Sequence, residues 1–261
     1  MTEAPGLDGL GVLVTRPAHQ ATALCEAVER AGGRALRLPL LSIDGPRDAV
    51  ATGASLEAAR GDGWWLFASP NAVTWTLRLA PDATRWPARL AAAGRGTAGA
   101  LGAVGRGDAR CPAQDGAAGL LAMAALAHLR GERVTVLCGE RSPARLADGL
   151  RARGAVVTVI GVYRRVRVPH PVAEVRAALT ATAAAIVSSG GALEHLVDLA
   201  PEDTRDGLFA LQLVLPSARV VEMARRLGFR RPPLVPARVG DEEFVRTLLA
   251  WYRDTGRHGS A

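Results

Sequence analysis

Five short stretches place a hydroxyl or a proline where the backbone should turn into helix. They are TRP (Thr15 to Pro17), SPN (Ser69 to Asn71), RSP (Arg141 to Pro143), SSGG (Ser188 to Gly191) and PSAR (Pro216 to Arg219). Serine and threonine oxygens accept from the free amides of a first helical turn, and proline suits the first helical position. Capping alone would account for any one of these loops. Several such helix starts facing one cleft would also present free N–H groups and positive dipole ends, a cradle for carboxylates or phosphates. A sixth stretch, GRGTAG, carries Gly94, Gly96 and Gly99 in the G-x-G-x-x-G spacing of a dinucleotide fingerprint. Its context is wrong. A true fingerprint follows the first strand of a βαβ unit, with an acidic residue about 20 residues on at the end of the second strand. GRGTAG comes third in its half of the chain, and Asp115, near the right distance, sits in CPAQDG, which reads as a turn.

Acid, base and nucleophile candidates are few. Tyr163 ends the apolar stretch VVTVIGVY, where its phenol could face a cleft and donate a proton, or simply pack as an aromatic β residue. There are no paired carboxylates at useful spacing and no G-x-S-x-G elbow, and a phosphate-binding lysine loop is impossible because all 32 basic residues are arginine. Cys25, Cys111 and Cys138 lie far apart without C-x-x-C spacing, so they are expected as buried thiols. The five histidines are scattered, and no metal is expected. Binding and orientation, with at most one acid or base, is the chemistry this inventory allows.

The formal net charge of +7 suits a polyanionic partner, although many arginines could equally be solvated faces. No arginine block, C2H2 pattern or basic surface with interleaved aromatics points to nucleic acid. RGD at Arg106 to Asp108 reads as a chance tripeptide in a turn. No apolar run is long enough for a membrane span, and MTEAPGLDGLG lacks a secretory pattern, so a cytoplasmic protein is expected.

The elements that must position these loops repeat. GVLVTRPAHQATALCEAVERAGGRALRLPLL, from Gly11, aligns with RVTVLCGERSPARLADGLRARGAVVTVIGVY, from Arg133, at an offset of 122 residues, as from Gly32 to Gly154. Each reads strand, polar turn, helix, glycine, strand. WWLFASPNAV then aligns with AAIVSSGGAL at an offset of 120, placing Ser69 on Ser189, and GTAGAL with PSARVV, placing Thr97 on Ser217. CPAQDGAAGLL aligns with VPARVGDEEFV. Apolar strands of four to six residues alternating with helices of about 10 to 15 predict parallel sheets covered on both faces. The fold class is α/β: two doubly wound, flavodoxin-like lobes built from pseudo-repeat halves. With nearly half the residues hydrophobic but few aromatic, an aliphatic core is expected. Proline-bearing extended stretches at 38–48 and 163–171 read as crossings between the two domains.

In their order and spacing, VLVTRP, LPLLSI, WWLFASPNAV, GRGTAGAL, GERSPARLADGLRARGAVVTVIGVYRR and AAIVSSGGALEHL resemble the uroporphyrinogen-III synthase family along nearly the whole chain. The resemblance implies a cofactor-free lyase of tetrapyrrole (porphyrin, haem) biosynthesis. Hydroxymethylbilane, a linear polycarboxylate, closes to uroporphyrinogen III with its last ring inverted and water lost, in a cleft between two lobes. The family fold implies that the stretches 38–48 and 163–171 form a two-stranded linker, giving one lobe of 1–40 plus 170–261 and another of 46–164. Tyr163 aligns with the family tyrosine proposed as proton donor. Substrate binding carries over to Ser69, Asn71, Thr97, Ser188, Ser189, Gly190 and Ser217, and Arg16 and Arg219 are added because guanidinium forks match carboxylates. The second serine turn departs from the family pattern, with Gly190 in place of proline, and Ser217 stands where many members have threonine. The glycines of GRGTAG then read as room for a turn beside a carboxylate-bearing substrate, with Thr97 the residue that matters. A monomer is expected, with transient handover from the preceding pathway enzyme. A non-catalytic tetrapyrrole-binding or regulatory relative of the same fold is the alternative; a two-lobed ligand receptor would need a signal sequence, and an oxidoreductase rests on GRGTAG alone.

Overall fold

The computed structural model describes residues 6–141 and 144–256. Along the chain, β1 (Gly11–Val14), α1 (Thr22–Arg30) and β2 (Arg34–Arg37) lead to β3 (Leu41–Asp44), α2 (Ala49–Ala58), β4 (Trp64–Phe67) and α3 (Pro70–Leu79). There follow β5 (Leu90–Ala92), α4 (Arg95–Ala103), α5 (Ala117–Ala122), β6 (Arg133–Gly139), α6 (Arg145–Arg151) and β7 (Val156–Arg167). The remainder is α7 (Val172–Thr180), β8 (Ala184–Ile186), α8 (Gly190–Leu199), α9 (Arg205–Ala210), β9 (Gln212–Val214), α10 (Ala218–Leu227) and α11 (Asp241–Gly256). Most helices are shorter than the pattern predicts. A four-residue strand spans about 13 Å, and a nine-residue helix such as α1 already covers that length at about 1.5 Å per residue.

The chain divides into two compact units, Met1–Ser42 with Val166–Ala261, and Ile43–Arg165. In the first, the strand order is β2-β1-β8-β9, and all three pairings are parallel. Alternate residues of each strand enter opposite cores. Leu13, Ala185 and Leu213 pack with Val175, Leu193 and Val220 from α7, α8 and α10. Val12, Val14, Ile186 and Val214 pack on the other face with Leu24 and Val28 of α1 and Phe244 and Leu248 of α11. A parallel sheet needs this cover on both faces, and truncating one fully buried leucine in such a core costs about 2–5 kcal/mol.

The second unit has the strand order β3-β7-β6-β4-β5, with β7, β6, β4 and β5 parallel. Its two cores again alternate: Trp65, Phe67, Leu137 and Ile160 on one face, Trp64, Leu66, Val134 and Val136 on the other. Four of the five tryptophans lie in this unit, so its core is not purely aliphatic. Trp65, Phe67 and Trp86 stack with centroids 5.5–6.3 Å apart, and both indole N–H groups donate to carbonyls, of Ala59 at 3.0 Å and Ala80 at 3.1 Å. This satisfies the polar tips that burial would otherwise strand.

The two sheets share one plan. An edge bridge from Val214 to Leu234 extends the order β2-β1-β8-β9, and a bridge from Ala91 to Arg110 extends β7-β6-β4-β5 in the same way. Each unit therefore combines the opening βαβ of one repeat with the closing strands of the other. Gly32 and Gly154, at matching positions after α1 and α6, both take left-handed backbone, with φ +80° and +83°. Glycine ends a helix this way without a Cβ penalty.

Two smaller expectations change. Cys25 and Cys138 are buried, but Cys111, the residue after the Ala91–Arg110 bridge, is exposed. Arg106 of RGD is no idle turn residue: its side chain is 11% exposed, and its guanidinium donates to the carbonyls of Ala83 and Pro87 and pairs with Asp108 at 3.0 Å. No helix among the described residues is long and apolar enough to cross a membrane.

Candidate functional site

In the second unit, β4 runs directly into the SPN turn. Ser69 is extended (φ −166°, ψ 161°), its Oγ accepts from the amide of Ala72 at 3.2 Å, and Pro70 fills the first helical position of α3. Tyr163 reaches this serine through a bulge in β7. Cys138 pairs with Gly161 but Gly139 pairs with Tyr163, so Val162 is an extra residue. Ile160, Val162 and Tyr163 consequently all enter the same core, whereas strict alternation would send Tyr163 to the opposite face. The ring packs over Gly139, where a Cβ would stand 3.0 Å from the Tyr163 Cζ. Tyr163 is thus a packed aromatic, 2% exposed, and also a phenol with polar company. Its hydroxyl lies 3.2 Å from Ser69 Oγ and accepts from Arg165 Nη2 at 3.3 Å.

The GRGTAG turn corrects the sequence reading. Gly94 starts α4, and the space a Cβ would need there is taken by the carboxylate of Asp115, whose atoms lie within 2.9 Å of that point. Asp115 Oδ1 also accepts from the amide of Arg95 at 3.4 Å. The room at the first glycine serves the protein's own acid at a positive helix end. Gly96 and Gly99 meet no backbone crowding: the nearest atom to a Cβ at Gly96 is Pro70 Cγ at 3.7 Å, and none lies within 4 Å at Gly99. Thr97, one turn in, is 4% exposed. Asn71 is half-buried beside Pro70 in the first turn of α3.

In the first unit, Ser189 repeats Ser69 closely. It is extended (φ −160°, ψ 155°) and caps α8 by accepting from Ala192 at 3.3 Å. Ser188 precedes it, half-buried. At Gly190 a Cβ would lie 2.9 Å from Met223 Sδ of α10, the flexible end of that side chain. Ser217 takes the same extended geometry before α10 (φ −167°, ψ 159°) but makes no side-chain capping bond, and Arg219 in the first turn is exposed.

The TRP turn departs from the capping expectation, because the Thr15 hydroxyl donates 3.1 Å to the Ile186 carbonyl and ties β1 to β8. Arg16 comes within 2.8 Å of Asp241, without hydrogen-bond alignment, and lies over the Phe244 ring at 5.7 Å. Its charge is therefore already matched inside the first unit. Ser142 and Pro143 of the RSP loop lie outside the described residues.

Within the second unit the structure brings together Ser69 and Tyr163, and Gly96 of the GRGTAG turn borders the same SPN turn. Arg165 and Gly139 were absent from the sequence-based set. Arg165 was within reach, because residues two apart on a strand share a face; Gly139 was not. Depressed carboxyl pKa values occur elsewhere: a Thr84 hydroxyl bond lowers Asp82, Arg106 lowers Asp108, and Arg176 lowers Asp203. Among the described residues no cluster of His, Cys, Asp and Glu could hold a metal ion.

Known proteins resemble this chain. A family model described as uroporphyrinogen-III synthase HemD matches residues 22–244. The uroporphyrinogen-III synthase of Escherichia coli (strain K12) is 32% identical over 114 residues, 42% of this chain, and the chain spans just 46% of that relative's length. Among solved structures, a mutant uroporphyrinogen III synthase from the extremely thermophilic bacterium Thermus thermophilus superposes with a TM-score of 0.64 at 17% identity, covering 95% of this chain and 99% of that one. The uroporphyrinogen-III synthetase of Helicobacter pylori 26695 gives 0.64 at 12% identity, covering 93% and 99%. At such identities the structural likeness establishes the fold.

Proposed function

The chain belongs to the uroporphyrinogen-III synthase family, and from that membership we propose that it is a cofactor-independent lyase of tetrapyrrole biosynthesis, converting hydroxymethylbilane to uroporphyrinogen III. The observation that carries the reading within the chain is the Tyr163 phenol, held against Ser69 at the start of α3. Tyr163 gives its proton to the hydroxyl of the first ring's hydroxymethyl group. The carbon–oxygen bond breaks, water leaves, and the resulting cation is spread over the pyrrole. The substituted carbon of the last ring attacks it, the spiro intermediate fragments, and the inverted ring recloses through its free carbon, which releases one proton to restore Tyr163.

Most of the catalysis is positional. The unassisted substrate closes without inversion to the type I isomer, so the protein must hold the chain in the geometry for the harder closure. Ser69, Asn71 and Thr97 in one unit, and Ser188, Ser189, Gly190, Ser217 and Arg219 in the other, are the proposed contacts. Helix-start amides and guanidinium groups suit carboxylates. Arg16 would reach a substrate carboxylate by exchanging it for Asp241. We expect a cytoplasmic monomer that receives its substrate from the enzyme before it.

Fresh hydroxymethylbilane incubated with the protein should give mainly the type III isomer, resolved by chromatography of the oxidised products. Tyr163→Phe should slow turnover and leave the fold intact. A product mixture equal to the no-protein control would reject the activity in favour of a non-catalytic relative, and an unchanged rate in the variant would remove Tyr163 from the mechanism.

A further inference from the structure

We infer that Arg165 is the positioning residue that aims the Tyr163 proton and holds the phenolate left behind; this rests on the reading of Tyr163 as proton donor. A phenol oxygen has one proton to give and two lone pairs to accept with, whereas a guanidinium can only donate. The Arg165 contact at 3.3 Å therefore occupies one lone pair. Ser69 Oγ already accepts from the Ala72 amide and retains its own proton, which it can donate to Tyr163 at 3.2 Å. In that arrangement both lone pairs are taken, and the phenol proton is the one left to give to an incoming hydroxyl.

The neighbouring arginine sharpens the assignment. Arg164, one residue earlier and on the opposite face, donates to the Gly45 carbonyl and pairs with Asp44 at 3.4 Å. Arg165 has no carboxylate partner among the described residues; its guanidinium meets the Tyr163 hydroxyl and lies over that ring, 5.7 Å from the centroid. It is also exposed, so its guanidinium is held by the phenol and not by the core. During the reaction the Tyr163 O–H bond breaks and its proton goes to the leaving hydroxyl. The carbon–oxygen electron pair departs with water, and the phenolate gains two ready donors, one of them cationic. Donors already aimed at a developing charge need no reorganisation when it forms. The proton lost by the last ring on reclosure returns the phenol to its starting state.

The test compares initial rates of type III formation for the wild type, Arg165→Met and Arg165→Lys over a range of hydroxymethylbilane concentrations. Loss of a charged hydrogen bond made in the transition state should lower kcat of the Met variant about 10- to 100-fold. KM should move by less than about 3-fold. The Lys variant should recover part of the loss, and added methylguanidinium should speed the Met variant but not the wild type. An unchanged kcat, a loss confined to KM, or a failure of methylguanidinium to restore rate would each overturn the assignment. If the wild type itself gives only the type I mixture, the activity falls and this inference with it. A normal wild type beside an indifferent Arg165→Met variant rejects the inference alone.

Discussion

Replacing Gly139 by alanine tests how closely the fold meters the Tyr163 phenol. The new Cβ would stand 3.0 Å from Cζ, 3.1 Å from Cε2 and 3.3 Å from the hydroxyl of Tyr163. Ordinary contact begins near 3.4 Å, so the ring must retreat by a few tenths of an ångström. It has little room, being 2% exposed. Its two polar contacts, at 3.2 and 3.3 Å, have little slack either, and a separation of about 3.6 Å is no longer a hydrogen bond. Losing one of them costs about 0.5–1.5 kcal/mol if the partner is neutral and about 1.5–3 kcal/mol if charged. That corresponds to a fall in kcat of about 2- to 160-fold. Overpacking should cost about 1–3 kcal/mol of stability, a drop of roughly 5 °C in Tm. Rates measured well below that temperature, with melting curves alongside, separate the two effects. In a Tyr163→Phe background there is no hydroxyl to displace, so the same glycine change should cost less than about 3-fold in rate. Full activity with an unchanged Tm, or an equal loss with and without the Tyr163 hydroxyl, would refute the coupling.

At the start of α4, Gly94→Ala and Asp115→Ala should each destabilise by about 0.3–1 kcal/mol, and the double variant by no more than one of them, because both remove the same carboxylate from the helix end. Additive losses in denaturant titrations would show that the two act separately. For Asp108, the bond from Arg106 holds the folded carboxyl below its ordinary value of 3.8. Its stabilisation is complete above the unfolded value and is lost as pH falls through the folded one, so Asp108→Asn should flatten the fall of Tm between about pH 5 and about pH 3. An acid limb as steep in the variant as in the wild type would reject that assignment.

What was legible in the sequence was local. A strand that runs into Ser-Pro-Asn or Ser-Ser-Gly announces a capped helix, and Ser69 and Ser189 both cap through the amide three residues on. The matching glycines at 32 and 154 end their helices in matching left-handed conformations, so the repeat register survives into the strand order. What was hidden depends on distant partners. Asp115 fills the space at Gly94 from a segment 20 residues on, Arg16 meets Asp241 near the other end of the chain, and Thr15 spends its hydroxyl on Ile186. The bulge at Val162 was equally invisible, because an extra residue in a β pattern leaves only apolar letters behind. Yet that one residue decides which face of the sheet receives Tyr163.

The crossed assembly of the repeats also sets a timetable. The hydroxyl of Thr15 waits for a carbonyl made 171 residues later. At about 5–20 residues per second on the ribosome, β1 stands without β8 for roughly 10 to 30 s. The unit Ile43–Arg165, by contrast, is continuous in the chain and complete before β8 is made. The β1–α1–β2 segment is therefore an early fragment that must stay unattached while the whole second unit is made, and α11, synthesised after β8 and β9, supplies Phe244 and Leu248 to the core that captures it.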